Sequence, residues 1–280
     1  MLLSFGLLLL APMIYALALS FTDFLAFSGH WHWIGIRNYT DLLNDPATWS
    51  SLWRTLLFAA IVIPLSIAGG LGLALLLNRR MHGVGVLRAL VFLPYAVPTA
   101  AAAVAWKMML DRDAGVLTWV VTTLGGPSEV WLDDPYVFYG LIAMTLWGMG
   151  YGMMILLAGL QGVPSELREA ASVDGASRLQ AFRHVTLPLL SPVILFLAIM
   201  GIINSLQTTA PLLLTPTDGG FATTTPAGTT LYMMNVYSQF YDNYLYGYAS
   251  ALLWFLVLFM VLLTAVLFGT SRLWVFYEAE

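Results

Sequence analysis

Apolar residues in this chain are gathered in long unbroken stretches rather than repeated at every third or fourth position. The stretches at about 2–20, 55–77, 88–107, 137–160, 187–210 and 248–270 carry charged residues only at their ends. Each is roughly twenty residues long, the length at which a helix crosses the hydrocarbon core of a bilayer. The pattern predicts six transmembrane helices. Short alternating segments of the kind that build an outer-membrane barrel are not seen. The polar positions fall between the stretches, and one such interval, "VPSELREAASVDGASRLQAFRHVT" at 163–186, is unusually rich in charge and small residues.

Composition sharpens this picture. The chain is 60% hydrophobic and 9% charged, against roughly 25% charged in a soluble domain. No repeat, linker or low-complexity tract divides it, so residues 1–280 read as a single all-α membrane domain. The net charge of −4 matters less than where the positive residues sit. Arg79, Arg80 and Arg88 follow the second stretch, Arg168, Arg178 and Arg183 follow the fourth, and Arg272 follows the sixth. The positive-inside rule places these loops and both termini in the cytoplasm, with Asn44 and Thr225 outside. The first stretch has no basic leader and exceeds a usual signal core, so it is expected to remain as a span. The absence of cysteine removes disulfides and thiolate chemistry.

Of the external loops, 22–48 reads as an ordered connector, 111–135 as turn-rich, and 211–228 as a Pro/Gly/Thr loop. Pro64, Gly69, Gly70, Pro94, Pro98, Gly148, Gly150 and Gly152 lie within stretches that otherwise read as spans. In lipid such residues need neighbouring helices to satisfy freed backbone groups or to exploit the small side chain, so a packed, kinked bundle is expected.

The polar interval at 161–187 predicts a helix–turn–helix on the cytoplasmic face. Ser165 is expected to cap a first helix with Glu166 in its opening turn. Asp174-Gly175 is expected to break the helix, Asp174 capping a second one that ends near Pro188. Ala170 and Ala171 leave a flat surface that another backbone could approach, and Glu169 offers a charge to an arginine. An amphipathic connector between two spans would account for the same polarity. The spacing Glu169-Ala170-Ala171, three residues, Gly175, nine residues, Val185-Thr186-Leu187-Pro188 is far more specific.

That spacing resembles the EAA signature of permease subunits from binding-protein-dependent ABC importers, with Val185 where the family prefers Ile. Together with "IGIRNYTDLLNDPATWSSLWRTLLF", "LRALVFLPYAVPTAAAAVAWKMML" and "LLAGLQGVPSELREAA", it is similar to the carbohydrate branch, the large-subunit type of the maltose and glycerol-3-phosphate permeases. The resemblance covers nearly the whole chain. It implies a type I ABC importer transmembrane domain in a bacterial or archaeal cytoplasmic membrane. Glu169, Ala170, Ala171, Asp174 and Gly175 would form the coupling helix that docks on the ATPase. The implied partners are a second permease subunit, two ATPase subunits and an extracytoplasmic sugar-binding protein. Residues 1–280 contain no counterpart of the additional amino-terminal spans and large external domain of the maltose subunit, so the resemblance does not carry its particular substrate.

Other features bear on the alternatives. The chain's single lysine, Lys107, has no glycine-rich loop before it and no Ser/Thr after it, so a Walker phosphate loop cannot form. ATP and Mg²⁺ would therefore belong to a partner, and no cofactor is expected on this chain. No ionisable side chain lies at mid-span, which argues against a proton-coupled secondary sugar carrier. No Ser/His/Asp or paired-carboxylate constellation lies in a span, which argues against a membrane-embedded glycosyltransferase or hydrolase. His30 and His32 lack a third ligand, and no metal site is expected. Tyr151, Asn204 and Gln207 are polar or aromatic at membrane depth, where an unpaired amide is costly. Hydrogen bonding between helices is one use for them. Lining a sugar path, together with Gly148, is the other, and the resemblance favours it.

Overall fold

The computed structural model describes residues 6–25, 31–79, 81–125, 131–132, 136–214 and 227–276. Thr225, Arg80 and His30 lie outside the described residues. A π turn at Gly6–Leu10 leads into α1 (Ala11–Leu19), and the connector that follows carries α2 (Arg37–Asn44). Next come α3 (Pro46–Leu77), α4 (Val84–Ala96), α5 (Thr99–Leu110), α6 (Val116–Thr123), α7 (Val137–Trp147) and α8 (Gly150–Gly162). The remainder comprises α9 (Ser165–Val173), α10 (Arg178–Ala181), α11 (Leu187–Leu206), α12 (Ala210–Leu214), α13 (Tyr232–Tyr237) and α14 (Tyr246–Ser271). Among the described residues there is no strand, only isolated bridges at Thr22–Trp33 and Leu25–Leu245.

Among the described residues, four helical segments are long and apolar enough to span a bilayer: Pro46–Leu77, Val137–Gly162, Arg178–Leu206 and Tyr246–Ser271. Only 17–39% of the residues in their most apolar windows are buried within the chain. Outward faces this apolar would be an aggregation hazard in water and are at home in lipid or against another membrane subunit.

The expected third span is not straight. Val84–Ala96 and Thr99–Leu110 meet at 94°, so together they form a broken span or a re-entrant pair. Pro98 is the cause: it has no N–H to donate and forces Val97 out of helical geometry, to ψ 130°. Of the first apolar stretch, the described apolar helix runs from Leu8 to Leu19, and residues 1–5 lie outside the described residues. The second helix extends beyond its apolar run and begins at Pro46, because the Asp45 carboxylate accepts the Ala47 and Thr48 amides at 3.0 and 3.2 Å. Residues 211–214, expected as loop, instead belong to α12, where Leu214 is fully buried against the core. Leu214 gains more by packing toward α5 than by meeting water.

Helix α3 is the spine. It contributes Phe58 and Val62 to a core shared with α5, α7 and α12, and Ala74 to one shared with α8 and α11. It adds Leu52 to a third core with α2, α11, α13 and α14. Close crossings hold α8 in place. A Cβ on Gly70 would stand 3.2 Å from the Met153 amide nitrogen, and one on Gly150 would overlap the Val91 carbonyl oxygen. Small residues allow these approaches, which drive helix association in lipid. One buried polar tie also reaches α3: the Tyr232 amide donates to Thr55 Oγ1 at 2.8 Å. At the connector, Asn38 donates to the carbonyls of Ser20 and Thr22, tying α2 to the end of α1.

Candidate functional site

Residues 161–187 form a helix–turn–helix whose turn is fully specified by backbone hydrogen bonds. Gly175 sits at φ +80°, which only glycine adopts freely. Its amide donates to the Ser172 carbonyl at 3.1 Å, and the Ala176 amide donates to the Ala171 carbonyl at 2.9 Å. This pair is a Schellman closure, which satisfies the last carbonyls of α9.

Two expected caps are corrected. Pro164, not Ser165, stands at the cap of α9, with no side-chain hydrogen bond; its fixed φ of −55° starts the helix without one. Asp174 is the carboxy-terminal cap of α9 and does not begin the next helix. Ser177 does, through a reciprocal capping box: its Oγ accepts the Gln180 amide at 3.3 Å while Gln180 Oε1 accepts the Ser177 amide at 2.8 Å. The second helix also does not stop at Pro188. A π stretch, Phe182–Thr186, joins α10 to α11, and Arg178–Leu206 runs as one helix of 29 residues. Pro188 falls in the first turn after the π stretch, where its missing N–H does least harm. His184 lies on this helix.

On α9, Glu169 and Ala170 are exposed and Ala171 is half-buried. Asp174 and Gly175 are exposed at its end. Around them stand apolar side chains that serve no core. Val173 is 88% exposed and Leu179 73%. They add exposed apolar surface to an otherwise polar loop, and sequence reading had passed over them. Under the turn, a cavity of about 370 Å³ is lined by Ala171, Gly175, Gln180 and His184 among others. Helix α9 packs on α10 and on the π stretch, so it leans on the root of the long α11 helix.

The residues expected on a substrate path are placed separately. Gly148 caps α7, where the chain tightens before α8 resumes at Gly150. Tyr151, on the first turn of α8, stacks on Tyr95 with ring centroids 4.7 Å apart and planes 22° apart. Tyr95 lies three residues before Pro98 and was not singled out from sequence; its position between Pro94 and Pro98 was the available signal. Asn204 is exposed near the end of α11 and forms no side-chain hydrogen bond with the described residues. Gln207, the terminal cap of α11, directs Nε2 toward Met260 Sδ at 3.5 Å.

Helix α3 gauges the separation: α8 crosses it at Gly70 near Gly152 and Met153, while Gly201 of α11 faces Ile63. Those positions differ by seven residues, about 10 Å of helical rise. Tyr151 and Asn204 thus belong to different levels of the bundle. Among the described residues no group of His, Asp and Glu is arranged to hold a metal.

Residues 66–274 match the family described as Binding-protein-dependent transport system inner membrane component. The probable ABC transporter permease protein YesP of Bacillus subtilis (strain 168) is 34% identical over 274 residues, covering 96% of this chain and 87% of that protein. The trehalose/maltose transport system permease protein MalF of Thermococcus litoralis is 36% identical over 221 residues, covering 78% of this chain and 73% of that one. In overall shape the chain is similar to a subunit of a bacterial alginate ABC transporter crystallised with a pentasaccharide-bound periplasmic protein. That likeness has a TM-score of 0.81 at 20% identity, over 97% of this chain and 91% of the other.

Proposed function

Because the chain belongs to the Binding-protein-dependent transport system inner membrane component family, we propose that it forms half of the pore of an ABC importer for a sugar or sugar derivative. It is a multi-pass membrane protein of the permease type, and hydrolysis of ATP falls to a separate subunit. The relative named for trehalose and maltose transport supports the carbohydrate assignment. A second permease would complete the pore, two ATPase chains binding ATP and Mg²⁺ would drive it, and an external binding protein would deliver substrate. Residues 1–280 act as one domain with six spans and both termini in the cytoplasm, the bent α4–α5 pair counting as the third span.

One observation carries the mechanism: the exposed Glu169–Ala171 surface leans on a helix that continues unbroken to Leu206. At about 1.5 Å per residue, the 29 residues from Arg178 to Leu206 extend over roughly 40 Å. In this mechanism Glu169, Ala170 and Ala171 seat in the ATPase, with Asp174 and Gly175 closing the turn. Closure of the ATPase pair displaces α9, and the long helix carries that displacement to Asn204 and Gln207. There, with Gly148 and Tyr151, amides bond sugar hydroxyls and an aromatic ring packs on a sugar face. The two levels, about 10 Å apart along α3, suit a path rather than a single pocket.

The test is substrate-stimulated ATP hydrolysis by the assembled complex in proteoliposomes. Glu169→Lys places like charge against the partner's arginine and should abolish stimulation while the complex still inserts. Unchanged stimulation and uptake in that variant would refute the docking role.

A further inference from the structure

A second cavity, about 750 Å³, opens between the turn after α3, the first turns of α4 and the last turn of α8. Its lining includes Asn78, Arg79, His82, Arg88 and Gln161, and contains no carboxylate. No described carboxylate pairs with the positive charge there. The ion pairs among the described residues are His32–Asp23 and Arg37–Asp41, and neither involves this cluster. Arg88 Nη2 donates to the Leu77 carbonyl at 2.9 Å, finishing α3, while its Nε is buried with no acceptor among the described residues.

The cavity also has an apolar flank. Met81, Val84 and Leu160 line it beside the cationic groups, while Val86 and Leu90 are exposed on the opposite, outer face of α4. A cationic recess with an apolar wall matches a molecule with an anionic head and hydrocarbon tails. A free anion would need only the recess, and an acidic protein segment would have no use for the flank. By the distribution of arginines this is the cytoplasmic end of the bundle, where the leaflet carries anionic lipid.

We propose that this cavity is a headgroup site for an anionic phospholipid of the inner leaflet. The phosphate lies between Arg79, His82 and Arg88, and the acyl chains leave along the apolar wall of Met81, Val84 and Leu160. The lipid then braces the junction of α3, α4 and α8 immediately before the coupling loop begins at residue 163.

Native mass spectrometry of the purified importer complex, titrated with phosphatidylglycerol or with phosphatidylcholine, tests this. The wild type should retain phosphatidylglycerol in preference. The variant Arg79→Gln/His82→Asn alters two exposed side chains that support no fold contact. It should lose about fivefold in phosphatidylglycerol retention, the worth of one arginine at a charged leaflet, with phosphatidylcholine unaffected. Arg88→Gln also removes a helix cap, so its retention is read only on complexes with wild-type melting temperature. Equal phosphatidylglycerol retention by wild type and the double variant would overturn the proposal. So would displacement of the lipid by inorganic phosphate of matching affinity, which marks a free-anion site. A photo-crosslinker at position 79 that captured a partner subunit instead of lipid would do the same.

Discussion

Gly150 lies against Val91 so closely that a Cβ on the glycine would overlap the Val91 carbonyl oxygen. This contact fixes where α8 crosses the arm of the bent α4–α5 pair, one residue before Tyr151 meets Tyr95. Gly150→Ala should therefore force the helices apart and cost about 1–3 kcal/mol by overpacking. Gly72→Ala is the control, because nothing lies within 4 Å of a Cβ there. The melting temperature of the detergent-solubilised complex should fall for the first variant and hold for the second.

Thr55 supplies the acceptor for the buried Tyr232 amide across 177 residues of sequence. Thr55→Val keeps the shape of the side chain but strands the donor, which costs about 1–3 kcal/mol. Thr55→Ser keeps the oxygen and should retain most of the stability. Equal melting temperatures for the two variants would show that the amide finds another partner.

Gly175→Val should damage coupling by a route distinct from charge reversal at Glu169. At φ +80° a β-branched residue is strained, so the Schellman closure opens and α9 loses its angle to α10. Basal ATPase activity of the partner should persist while substrate-stimulated hydrolysis falls. Gly175→Asn, which tolerates the left-handed region better, should recover part of it.

Orientation is open to single-cysteine labelling, since the chain has no cysteine of its own. An impermeant thiol reagent applied to intact cells should reach positions 44 and 225 and miss 178. Labelling at 178 but not at 225 would invert the assigned topology.

Asn204 has no partner among the described residues, so Asn204→Leu should leave thermal stability unchanged. Gln207→Leu gives up only a long contact to Met260 Sδ and should behave alike. If these amides bind sugar hydroxyls, each loss costs transport about 1–3 kcal/mol of unmatched polar binding. Tyr151→Ala removes the stack on Tyr95 and should lower both stability and uptake. The measurement is maximal uptake rate per folded complex, because a binding protein sets the affinity seen in cells. Normal rates in all three variants would remove them from the path.

The sequence by itself determined the membrane class, the permease family and the helix–turn–helix at 161–187. Each rests on a local signal: unbroken apolar runs, arginine placement, and a spacing from Glu169 to Pro188 that survives reading in one dimension. The left-handed turn at Gly175 was legible for the same reason, since few residues other than glycine suit that geometry. Capping was not, because Ser165, Asp174 and Ser177 are all good caps and only the backbone bonds around Gly175 select Ser177. The path of the third apolar stretch was likewise decided in three dimensions. Pro98 announces a break, but the 94° angle comes from how α4 and α5 pack on α8 and α12. Exposed Val173 and Leu179, the pairing of Tyr95 with Tyr151, and the basic cavity at Arg79 and Arg88 all depend on contacts between residues distant in sequence. Apolar character predicts that a residue leaves water. Which neighbour it meets, or that it meets none within its own chain, is settled only by packing.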